Sequence, residues 1–159
     1  MTDLKKEYNL LAKKHKLPKY DDIDNEFELL GISPVEEIKF PLRFVRRRMD
    51  AKIAWYCGLL QGILQPNPGS FISLNESNFF KDTDRKKFST LLKLLMKIER
   101  QSLHLDTMMS EKGDAEFISE NFKAYLDLKK ELSVITLALK EGWNKEAAKI
   151  DNNRTNYVG

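Results

Sequence analysis

Apolar residues recur three and four positions apart along most of the chain, and no stretch alternates apolar and polar with a period of two. The pattern predicts helices throughout. Leu4, Tyr8, Leu11 and His15 follow Thr2, which serves as an N-cap. Pro18 ends that helix and opens a short one over PKYDDIDNEF, with Tyr20, Ile23 and Phe27 on one side. Ser33, Pro34 and Glu36 form a third helix-start signal, and Pro41 either kinks that helix or restarts it. Leu42, Val45, Met49, Ile53, Tyr56, Leu60 and Ile63 give the next helix a sustained core face, which PNPGS terminates. Ser73 and Glu76 mark a brief helix running to Phe79 and Phe80.

Asp82 or Thr83 caps a long helix whose core face is Phe88, Leu91, Leu95, Ile98, Ser102, Leu105 and Met109. Gly113 reads as its stop and Asp114 as the next start. Phe117, Phe122, Tyr125, Leu128, Leu132, Ile135, Leu139 and Trp143 then face the core of a last long helix. Three long helices with short connections predict an all-α antiparallel bundle, with the N-terminal helix as a fourth wall and short helices between. One domain over 1–149 and a frayed polar tail over 150–159 is the expected organisation.

Within the central helix the run RFVRRRMDAKIAWYC carries Arg43, Arg46, Arg47 and Arg48. Ala54, Gly58 and Gly62 stand four apart, a small-residue ridge expected to let a neighbouring helix approach. A helix wrapped on all sides in its second half would be the centre of the bundle. LPKYDDIDNEFEL followed by FVRRRMDAKIAWYCGLLQGILQP resembles a group of small, uncharacterised, all-helical archaeal proteins, over residues 10–140. The resemblance implies an all-α fold and a cytoplasmic setting. It carries no chemical motif, so it implies no functional residue.

Composition narrows the classes. The 159 residues suffice to bury a core without a metal or disulfide, and the single cysteine, Cys57, reads as a small buried apolar residue. The charge of +3 is too small to signal nucleic-acid binding, so the layout of charge along the chain has to decide. The opening MTDLKKEYNLLAKKHK spreads its charges, unlike a secretory leader, and IAWYCGLLQGIL is too short to cross a membrane. A cytoplasmic protein without a membrane role is the expectation. His15 and His104 are isolated, DDIDNEFELLGIS lacks the glycine and glutamate of a calcium loop, and no hydrolase, zinc, phosphate-loop or di-iron motif occurs. No cofactor, metal or reaction is expected.

Charge placement supplies the functional candidates. Lys86, Lys93, Lys97, Arg100 and His104 project within about 40° of one line on the helix after Asp82, opposite its core face. The last helix, by contrast, interleaves Glu116, Glu120, Lys123, Asp127, Lys130 and Glu131. A wholly basic stripe suits an acidic partner, with structured RNA or a ribonucleoprotein the first expectation and phosphate neutralisation the role of Lys86, Lys93, Lys97 and Arg100. Arg43, Arg46, Arg47 and Arg48 form a second patch, open to external use or to cover by Asp21, Asp22, Asp24, Glu26 and Glu28. The other reading is a protein–protein module, homo-oligomeric or not, in which Trp55, Leu59, Phe79 and Phe80 join an interface instead of the core.

Overall fold

The computed structural model describes residues 4–29 and 38–155, with side chains through residue 150. Six α-helices fill it: α1 (Leu4–His15), α2 (Tyr20–Phe27), α3 (Pro41–Leu64), α4 (Phe71–Asn78), α5 (Asp82–Met108) and α6 (Glu111–Thr155). No strand occurs among the described residues. Thr2 and the Ser33–Pro34–Glu36 signal lie outside them.

The fold is all-α and helical throughout, as the periodicity predicts, and α3 is its centre. It touches each of the other five helices, and Leu42, Val45, Met49, Ile53, Leu60 and Ile63 on its predicted face are buried. Arg46 of α3 reaches Ser102 and Asp106 near the end of α5, while Arg85 near the start of α5 bonds the carbonyl of Ile63. The two helices therefore run antiparallel. α6 turns back along α5, with Gln101 bonded to Asn121 at 3.1 Å, and its far end carries Trp143 to the ring of Phe79, edge-on at 5.6 Å.

Of the two readings of Pro41, the structure has the restart: it opens α3. Several local expectations are corrected. Ser70, not Ser73, caps α4, its hydroxyl accepting the Ser73 N–H at 3.2 Å, and the Ser73 hydroxyl instead donates to the Gly62 carbonyl. α5 starts at Asp82 behind Lys81, whose N–H donates to Asp84. Met109 is not core: it takes the left-handed conformation after α5 (φ 50°) and is exposed.

Gly113 does not end a helix. It lies in the first turn of α6, where an added Cβ would fall 2.6 Å from Leu105 Cδ2. Its missing side chain lets α5 and α6 close on each other, a requirement that resembles a stop signal in sequence. α6 runs on to Thr155.

Candidate functional site: the cations of α3 and α5

The four arginines of α3 occupy its first two turns, and no acidic residue stands in the first turn. Positive charge near a helix N-terminus is disfavoured by the dipole. The fold answers with carboxylates from distant sequence. Arg46 is fully buried; its Nε donates to Asp114 Oδ1 at 2.6 Å, Nη1 to the Ser102 hydroxyl and carbonyl, and Nη2 to Asp106. One guanidinium thus ties α3 to α5 and α6. Burial works against its charge, but the bonds to Asp106 and Asp114 raise its pKa further. Burial would likewise raise Asp106, yet Arg46 and then Arg47 hold its carboxyl below the ordinary range.

The neighbours are committed in the same way. Arg43 stands 3.7 Å from Asp114 and stacks on Phe40 with its guanidinium 4.7 Å from the ring centre. Arg47 donates to Asp106 at 3.2 Å and alone of the four is exposed. Arg48 donates to the Glu28 carbonyl at 3.0 Å, and Lys52 to that of Glu26. The DDIDNEFE segment does approach the arginines, but through the carbonyls at the negative end of α2. Its carboxylates go elsewhere: Asp21 to Lys5, Glu26 to Lys129, and Asp24 to the Leu29 N–H. Arg46 has no surface to offer a phosphate, and Arg43 and Arg48 have little. The expected second patch reduces to Arg47.

Asp50 carries the strain of this arrangement. One of its oxygens is buried without a hydrogen-bond partner, and burial, then Glu99, raises its pKa despite Ser102 and Arg46. A carboxyl whose pKa is raised on folding favours the folded state in its protonated form and loses that contribution as pH climbs through the raised value. Asp50→Asn is therefore expected to raise the melting temperature at neutral pH. The gain should shrink below the ordinary carboxylate range, where Asp50 is protonated in both states; thermal denaturation across pH measures it. Cys57, beside Glu99, is buried with its thiol pushed up to about 11, primarily by burial. It stays protonated and unreactive.

The α5 stripe is placed as the sequence implies. Lys86, Lys93, Lys97, Arg100 and His104 are all exposed, opposite buried Leu91, Leu95 and Ser102. Arg100 stands 3.4 Å from Glu99, and the three lysines and His104 meet no carboxylate within ion-pair distance among the described residues. Elsewhere Lys5, Lys14, Lys112, Lys129, Lys130 and Lys149 each have a carboxylate within reach. Lysines such as Lys13, Lys87, Lys123 and Lys140 have none among the described residues, so it is alignment on one face that sets the α5 stripe apart.

The ridge of α3 is a correction. A Cβ added at Gly58 or Gly62 would meet nothing within 4 Å, so no helix backbone closes on α3 over those two positions as a small-residue ridge would allow. Trp55 beside it is 62% exposed, which removes it from the core and shows that the second half of α3 has an open face. Phe80 is buried, while Leu59 and Phe79 are half-buried against the core. Among the described residues no group of His, Cys, Asp or Glu converges as a metal site, and no helix is long and apolar enough to cross a membrane. No protein-family profile matches the chain, and neither a curated protein nor a solved structure shows significant similarity to it.

Proposed function

We propose that this protein is a non-enzymatic helical adaptor that docks an acidic partner through α5. The observation that carries the reading is the stripe Lys86, Lys93, Lys97, Arg100 and His104, exposed along one face of α5 and nearly without carboxylate partners among the described residues. Lys93 with Lys97 and Lys97 with Arg100 stand about one helical turn apart, where like charges destabilise a helix by roughly 0.2–0.5 kcal/mol per pair. A partner bearing carboxylates or phosphates relieves that repulsion on binding.

Two features favour an acidic protein surface over RNA. Of the α3 arginines, which would widen the basic field, all but Arg47 are spent inside the fold. The carboxylates of Glu116, Glu120, Asp127 and Glu131 are exposed on the neighbouring α6, and they would repel a polyanion broader than α5 itself.

Fluorescence anisotropy with a glutamate-rich helical peptide and with an RNA hairpin, each titrated across a salt series, tests the reading. The peptide is expected to bind the wild type in a salt-sensitive way, and Lys93→Glu with Lys97→Glu to abolish binding. RNA is expected to bind more weakly. RNA binding tighter than the peptide, its salt slope falling by about one for each lysine reversed, would move the partner to nucleic acid. Peptide binding indifferent to the two reversals would sink the role of α5.

A further inference from the structure

Resting on that docking reading, we infer that the acidic partner of α5 is α6 of a second copy of this chain. At about 100° per residue, Glu116, Glu120, Asp127 and Glu131 fall within about 60° of one line along α6. All four are exposed. Gly113 and Asn121, which face α5, locate that line on the α5 side of the helix, at the solvent rim of the groove between the two. Lys112, Lys123 and Lys130 are turned further away. The acids of α6 therefore lie nearer α5 than its lysines do, with Lys123 only about 20° beyond Glu116.

The two stripes are also in register. Gln101 lies against Asn121, and Leu105 against Gly113. Antiparallel helices meeting at those pairs set His104 level with Glu116, Arg100 with Glu120, and Lys93 with Asp127, and they set Lys97 level with Lys123, the one like-charged step in the series. One outer face of the molecule thus carries a basic line and an acidic line side by side at matching heights. Leu94, 47% exposed, sits between them on the α6 side of α5.

Such a face is complementary to itself under one operation. A two-fold axis running along the groove, parallel to both helices, swaps α5 for α6 and keeps every height. It lays Lys93, Arg100 and His104 of one copy on Asp127, Glu120 and Glu116 of the other, and the reverse. A two-fold axis across the helices would set like charges together. Within one copy the acids make weak contacts at most: Glu116 lies 3.7 Å from Lys112 and Asp127 3.6 Å from Lys130, both pairs exposed, and neither stripe bridges to the other among the described residues.

The face is small. From Lys86 to His104 it runs about 27 Å, and two helices each about 10 Å wide cover roughly 500 Å² per copy. Stable complexes bury about 800 Å² per partner, so weak association that is readily broken by salt is expected.

Sedimentation equilibrium of the full chain at low and high salt tests the inference with three proteins. The wild type should self-associate at low salt and be monomeric at high salt. A basic-face variant, Lys93→Glu with Arg100→Glu, and an acidic-face variant, Glu120→Lys with Asp127→Lys, should each be monomeric alone. Mixed in equal amounts they should form a heterodimer about tenfold or more tighter than the wild-type dimer, because one then presents two acidic lines and the other two basic ones. A wild type that stays monomeric at low salt, or variants that do not associate when mixed, overturns the inference. The same samples separate the two proposals: an acidic-face variant that still binds the glutamate-rich peptide, beside a monomeric wild type, retains the adaptor and removes the self-pairing.

Discussion

Replacing Arg46 with methionine should destabilise the protein by about 3–5 kcal/mol, the usual consequence of breaking a buried ion pair from one side. The loss comes less from the missing bonds than from what is left behind. The Asp114 side chain is 3% exposed and keeps only Arg43, at 3.7 Å, as a cation. Asp106, a third exposed, can turn to water and to Arg47. Asp114→Asn in the Arg46→Met background should therefore restore a large part of the loss, and Asp106→Asn should restore less. Urea denaturation followed by far-ultraviolet circular dichroism gives the midpoints. A single Arg46→Met variant within about 1 kcal/mol of wild type would show that the network is solvated and not structural.

Glycine-to-alanine substitutions should differ in sign along the chain. At Gly142 an added Cβ would overlap the ring of Phe79, which lies directly on the α6 backbone. That ring is fixed edge-on by Trp143, whose indole N–H donates to Glu76 at 3.0 Å, so it cannot give way cheaply. Alanine gains about 1 kcal/mol of helix propensity there but meets overpacking of about 1–3 kcal/mol, so Gly142→Ala should be destabilising on balance. At Gly58 the new methyl meets nothing, and only the propensity gain remains. Gly58→Ala is expected to stabilise by up to about 1 kcal/mol. Thermal melts of the two variants check both signs.

Those two glycines show where sequence reading succeeds and where it stops. Periodicity names the core face of α3 because burial demands it: Met49, Ile53 and Leu60 can only point inward together. The same periodicity finds the ridge of Ala54, Gly58 and Gly62 but cannot say what stands opposite. That depends on the placement of five other helices, and here nothing does. Trp55 is misplaced for the same reason, since a large apolar residue at the edge of a face reads as core until the neighbour proves to be absent.

The arginines show the other limit. Their cluster is obvious along the chain, and the nearby DDIDNEFE offers one acidic answer to it. The carboxylates that answer Arg46, Asp106 and Asp114, lie 60 and 68 positions away and become neighbours only when α5 and α6 fold back on α3. The stripe on α5 needed no such information. It is a property of one helix, and one core-facing row of leucines is enough to orient it.

The division between structural and free cations is the premise of the whole account, and residue-resolved chemical labelling measures it directly. The intact protein at high salt would be treated with an arginine-selective dicarbonyl and, separately, an amine-acylating reagent, and the modification rates read by mass spectrometry. Lys86, Lys93, Lys97 and Arg100 should react at the rates of unstructured peptides, and Arg46 only as fast as the protein unfolds globally. Arg46 reacting as quickly as Arg100, or the α5 lysines protected in the salt-dissociated monomer, would contradict the account.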